Sequence, residues 1–222
     1  MKLRVTACSL ALAAAAAGCG SLPGGKGTAT LWVTHGRGAH VVLVRRVPAG
    51  ETAMQALERV ASVKTAYGGR YVESVDGVAG NLSGQRDWFY FVNGIESGQG
   101  ATEYTLHPGD VEWWDFRSWA HAMSVPVVVG AFPEPFVHGF GGKVRAAVVV
   151  GTGSGARALA RVVRGRVVSR PPAGANVLRL VDGPVRFRGR DRPGGGVELV
   201  YSGDPWRLAR HPSMYRYRYS VP

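Results

Sequence analysis

The chain has 222 residues, with 27 Lys and Arg against 15 Asp and Glu, and its formal net charge of +12 points to anionic partners. Its two cysteines, Cys8 and Cys19, both fall near the N-terminus. Once a leader is cut before Cys19, this excludes a disulfide framework, a thiolate metal site and a cysteine nucleophile from the rest.

Lys2 and Arg4 precede an apolar run at residues 5–17, and Ala16-Ala17-Gly18-Cys19 follows it. This order resembles the bacterial lipoprotein signal, with Ala16 where that signal commonly carries Leu. The resemblance implies removal of residues 1–18, acylation of Cys19 (palmitate or a similar chain) and a tether on the outer face of the cytoplasmic membrane. An ordinary secretory signal cut elsewhere in the run is the alternative. No later segment supplies the ~20 apolar residues of a membrane-spanning helix. Residues 20–27 read as a flexible spacer, so positions 19–27 are the lipidated cysteine and its linker.

Strand patterns occupy residues 28–34 and 39–47, with Gly36-Arg37-Gly38 as the turn. An amphipathic helix follows, with Met54, Leu57 and Ala61 on its buried face and Thr52 and Gln55 placed for a capping box. Further strands are expected at 71–75, 88–92 and 111–116. In the second, Phe89 and Phe91 face one side while Trp88, Tyr90 and Val92 face the other. With both faces apolar, one covers the helix and the other meets a second layer or a ligand. Asp76-Gly77, Asn93-Gly94 and Gly109-Asp110 fit turns, since Asn, Asp and Gly tolerate positive φ.

Residues 52–57 (Thr52-Ala-Met-Gln-Ala-Leu57), Val72 to Gly77, Trp88 to Gly94 and Gly100-Ala with Tyr104, Leu106 and Gly109-Asp110 come in one order. That block, residues 28–118, resembles the transcobalamin-like C-terminal domain, whose family includes bacterial lipoproteins. The resemblance implies a β-grasp-like domain, and cobalamin as one ligand among several, bound as ligand and not as cofactor. A flat ligand would stack on Trp88, Tyr90, Trp113 and Trp114, which otherwise form the sheet core.

Charge separates the halves. Residues 1–118 hold 11 basic and 10 acidic residues, and residues 119–222 hold 16 and 5. Pro126, Pro133 and Pro135 punctuate the change, and Phe132 and Phe136 around Glu134 suit a lock between halves. In 119–222, strands are expected at 144–150, 177–181, 185–188 and 197–201, with a helix at 154–163 after Gly151-x-Gly153-x-x-Ala156. No acidic residue stands about twenty positions on, so the dinucleotide reading gives way to a glycine-rich strand-to-helix turn. Residues 202–222 read as irregular. Arg186, Arg188, Arg190 and Arg192 alternate, which puts them on one face of a strand, as a polyanion contact or as a solvated edge.

The fold class is therefore α+β: a β-grasp-like domain, mixed sheet plus one helix, followed by a smaller basic α/β domain. No metal-ligand spacing links the six histidines, and no nucleophile motif occurs. The expected function is a non-enzymatic, lipid-anchored binding or accessory protein, engaging a vitamin-like small molecule or an envelope protein through its aromatics. The alternative is a structural envelope protein whose Arg-rich half adheres to anionic lipid or wall polymer. Nucleic acid is not an expected partner of an exported chain.

Overall fold

The computed structural model describes residues 27–220, so the signal at 1–18 and Cys19 lie outside the described residues. The chain is α+β. Strands β1 (Thr28–His35) and β2 (His40–Pro48) form an antiparallel hairpin, and helix α1 (Ala53–Val60) follows. Thr52 Oγ1 accepts from the Gln55 amide at 3.2 Å and the Thr52 amide donates to Gln55 Oε1 at 2.9 Å, so the expected capping box closes. A small antiparallel sheet comes next: β3 (Val63–Ala66), β4 (Tyr71–Val75) and β5 (Val78–Ala79).

Strands β6 (Arg86–Val92), β7 (Ile95–Glu96) and β8 (Val111–Ser118) complete the first large sheet, in the order β2-β1-β8-β6-β7. The last strand, β8, lies parallel to β1 and antiparallel to β6. That is the β-grasp order, with the closing strand inserted at the centre. Met54 and Leu57 of α1 bury against Leu31, Val33, Val92 and Trp114 on one face.

Strands β9 (Ala147–Val150), β10 (Arg166–Val168), β11 (Asn176–Val181), β12 (Arg186–Asp191) and β13 (Val197–Ser202) build the second sheet, in the order β10-β9-β11-β13-β12. All neighbours run parallel except the β12–β13 edge pair. Helices α2 (Gly153–Val162) and α3 (Pro205–Arg210) cover one face, where Leu159 and Leu208 meet Val149, Leu178 and Leu199. Residues 202–222 are thus more regular than their composition suggests: Asp204 caps α3 through the Trp206 amide at 2.9 Å, with Pro205 at the first helical position.

Residues 122–136 touch both cores. Val125, Val128 and Ala131 bury against Trp32, Phe91 and Trp113 of the first sheet. Val127, Val129, Phe132 and Phe136 bury with the second sheet, and the Phe132 ring meets Phe187 edge-on at 5.4 Å. Val127 also bridges Ile95 at the edge of the first sheet and lies on Gly189 of β12, where a Cβ would come within 2.6 Å of its side chain.

The tail returns to the first sheet. Tyr219 packs on Phe91 and Trp113, at 5.6 and 5.3 Å between ring centroids, and donates to Asp115 Oδ2 at 2.7 Å. Asp115 also accepts from the amides of Arg37 and Gly38 in the β1–β2 turn, at 2.9 and 3.2 Å, and from Thr34 Oγ1 at 2.5 Å. One buried carboxyl thus ties a hairpin turn, a central strand and the tail together.

Candidate functional site

Three of the four aromatics expected as a platform are internal. Trp113 is 0% exposed, Trp114 2% and Trp88 8%. Trp113 belongs to the face under Tyr219, whereas Trp88, Tyr90 and Trp114 belong to the α1 face, so one ligand could not meet all four. Their polar edges are also engaged: Trp113 Nε1 donates to Thr34 Oγ1 at 2.7 Å, Trp114 Nε1 to Glu112 Oε1 at 2.6 Å and Trp88 Nε1 to the Val78 carbonyl at 2.8 Å. Half-buried Tyr90 stacks on Trp114 at 4.9 Å and donates to the Gln99 carbonyl. Burial pushes its hydroxyl up to about 12. The platform expectation is corrected here: residues 122–131 and 217–219 occupy the outer face, and α1 the inner one.

Three buried charge-bearing groups accompany these rings. Glu112 has no exposed surface, and burial holds its carboxyl well above the usual glutamate range, against the Trp114 hydrogen bond. Its Oε2 has no hydrogen-bond partner among the described residues. Arg117 lies 3.6 Å above the Phe89 ring and donates to the carbonyls of Ala122 and Met123 at 2.7 and 3.0 Å, which fixes the loop leaving β8. Asp110 accepts from Asn93 Nδ2 at 2.7 Å, and the same amide donates to the Gly139 carbonyl at 2.8 Å. Asn93 keeps positive φ (52°), so this residue serves its turn and also bolts the first sheet to residues 137–142.

Glu134 and His138 form the pair closest in appearance to an acid–base dyad. The Glu134 Oε1 to His138 Nδ1 distance is 2.6 Å, and Glu134 Oε2 accepts the His138 amide at 2.9 Å. Burial raises the Glu134 carboxyl against these bonds. The imidazole rests on Gly109, where a Cβ would approach to 2.4 Å, so the pair links residues 134–138 to the turn before β8. Among the described residues no group of three or more His, Cys, Asp or Glu could hold a metal ion, and no helix is long and apolar enough to cross a membrane.

One surface open to a partner is the helix-free face of the second sheet around β12. Register places Arg186, Arg188 and Arg190 of β12 beside Ser202, Val200 and Glu198 of β13, with Arg179 and Val181 on β11 beyond. Buried Glu198 joins two of the guanidiniums, accepting from Arg179 Nε at 2.5 Å and from Arg190 Nε at 2.7 Å. Burial opposes its ionisation, but the bonds from Arg190 and Arg179 outweigh that and hold its carboxyl below the usual range. Arg186 and Arg188 are exposed and have no ion pair among the described residues.

The alternating stripe is shorter than its spacing suggests. Strand β12 ends at Asp191 because residues 192–196 turn back, with the Arg192 amide bonded to the Gly196 carbonyl at 3.1 Å. Arg192 therefore leaves the face, and its Nη1 donates to the Ala175 carbonyl at 2.6 Å. Between the arginines runs a groove of about 500 Å³ floored by Val127, Val181 and Val200, continued by a second hollow of about 380 Å³ past Arg186. Cations over an aliphatic floor suit an amphipathic anion.

The sequence pattern of the family described as Domain of unknown function (DUF4430) matches residues 50–118, under half of the chain. No curated protein matches. Solved structures are similar over part of the chain, among them the following two. One is a protein of Ruminococcus gnavus ATCC 29149 to which metal binding is ascribed, with 17% identity and a TM-score of 0.35, covering 42% of this chain and 98% of that one. The other is haptocorrin in complex with Cbi, with 16% identity and a TM-score of 0.35, covering 41% of this chain and 25% of that one.

Proposed function

We propose that the protein is a non-enzymatic, lipid-anchored binding protein of the cell envelope whose second sheet engages anionic phospholipid headgroups. One observation carries this reading: Arg186 and Arg188 stand exposed, without an ion pair among the described residues, beside an aliphatic groove on a face that neither α2 nor α3 covers. The proposed acyl chain at Cys19 would keep that face near a bilayer. Each arginine near such a surface contributes about 1 kcal/mol.

The test uses the full chain carrying Cys19→Ser and measures its extra binding to phosphatidylglycerol-containing vesicles over pure phosphatidylcholine. Arg186→Ala with Arg188→Ala should remove about 2 kcal/mol of that increment. The increment should also shrink as salt is raised from 0.02 to about 0.2 M, across which screening tightens to less than 10 Å. An increment unchanged in the double variant rejects the lipid assignment, and retention on a phosphate-bearing wall polymer instead would move it there. Separately, palmitate labelling should vanish in Cys19→Ser.

The finer small-molecule reading, a cobalamin-like ligand in the first half, needs a surface other than the enclosed aromatics. Calorimetric titration with cobalamin and its precursors decides it: saturable heat supports the reading and absence of heat removes it.

A further inference from the structure

A different site lies where the two sheets meet. The cleft there measures about 710 Å³, within the usual range for small-molecule pockets, and such pockets favour junctions between structural units. Its apolar lining is Ile95 at the edge of the first sheet, Phe140 from the connecting segment and Val197 of β13. Its cationic lining is Lys143, Arg145 and Arg192, with Asp191 as the acidic residue among the lining groups.

The two guanidiniums are oriented by main chain rather than by carboxylates. Arg145 Nη1 donates to the Gly174 carbonyl at 3.2 Å, and Arg192 Nη1 donates to those of Ala175 and Pro172 at 2.6 and 3.3 Å. No ion pair engages Lys143, Arg145 or Arg192 among the described residues. A guanidinium has five donors, so each fork keeps N–H groups to offer. The glycine turn makes the arrangement possible. A Cβ at Gly195 would lie 3.3 Å from Arg145 Nη2, and one at Gly196 would lie 2.5 Å from the Ala175 carbonyl oxygen. Arg145 therefore lies across a surface without side chains.

We propose that this cleft binds a small organic anion, an apolar body bearing a carboxylate or phosphate, with Arg145 and Arg192 holding the oxyanion and Ile95 and Phe140 the body. Planar forks match both groups in bidentate fashion. The site is separate from the arginine groove and does not depend on it.

Calorimetry on the full chain in mild detergent would use phenyl phosphate, benzoate and inorganic phosphate. Phenyl phosphate or benzoate should bind at one site per chain, at least about tenfold tighter than inorganic phosphate, a difference of 1.4 kcal/mol. The preferred organic probe identifies the headgroup. Arg145→Ala should weaken it about tenfold or more, and Arg145→Lys should restore only part, since charge returns without the fork. Ile95→Ser should weaken the organic probe and leave inorganic phosphate unchanged. Arg186→Ala with Arg188→Ala should alter nothing. The assignment fails if inorganic phosphate binds as tightly as the organic probes, if Arg145→Ala leaves affinity unchanged at an unchanged Tm, or if the groove variant abolishes binding.

Discussion

Glu112 is the residue whose environment departs furthest from what its chemistry favours. It sits in the α1-side core with one oxygen unpartnered, and its carboxyl holds its proton above the normal range because water is excluded. The sign follows from linkage: a folded-state pKa raised above the unfolded one gives stability that is full below pH 4.5 and is lost as pH rises through the folded value. Glu112→Gln mimics the protonated form and should flatten that decline. Melting curves across pH 4 to 8 would show it, and parallel wild-type and variant profiles would contradict it. Tyr219→Phe removes one buried hydrogen bond to Asp115 at constant ring packing, for a loss of about 1 kcal/mol by denaturant titration. Neither role was legible in the sequence. The alternation of β8 shows that Glu112 and Trp114 share a face, but not that the face is closed.

At the scale of elements, legibility followed the range of the interactions. Helix α1 was readable because its cap and its apolar period both lie within a dozen residues. Strands β1, β2, β4 and β6 emerged within two residues of expectation for a similar reason. Strand β10, three residues long, offers no period to read, and neither do β5 and β7. The aromatic strands have the geometry that alternation predicts, and Trp88, Trp113 and Trp114 take the core role that was one of the two expected of them. Phe91 and Trp113 face outward as alternation requires, yet their cover comes from residues 122–131 and 217–219.

Strand β12 shows the same limit: spacing predicted four arginines on a face, and the turn at 192–196 removed the fourth. Gly189 falls between Arg188 and Arg190 on the opposite side of the strand, where Val127 occupies the space of a Cβ. Gly189→Ala should therefore push the edge strand from the connecting segment and destabilise the chain by about 1–3 kcal/mol. Phe132→Ala empties the junction with Phe187 and should cost about 3–5 kcal/mol. If chemical denaturation showed either substitution to be neutral, contact between the segment and the second sheet would be too loose to shape the cleft.

Across the whole molecule, the two sheets share one strip of chain, residues 122–136, whose side chains divide between the two cores. The strip positions the cleft, and the arginine groove opens beside it at Val125 and Val127. The sheets should therefore unfold together, and a single calorimetric transition, shifted alike for both by Phe132→Ala, is the expected result. Two separable transitions would count against it. Charge asymmetry was visible in the sequence, but the placement of Arg145 and Arg192 around the cleft was not, since main-chain carbonyls set it and these leave no trace in composition.

The return of Tyr217 and Tyr219 to the first sheet also orders events in time. A chain synthesised N-terminus first delivers Trp32, Phe91 and Trp113 well before the residues that roof them. Until position 219 clears the ribosome, the first half carries an open aromatic surface. Completion thus runs backwards, with the latest residues to arrive sealing the earliest, so a chain cut short near Arg210 would display that surface for as long as it lasted. That surface distinguishes an unfinished copy from a finished one for any protease or holding chaperone that meets it.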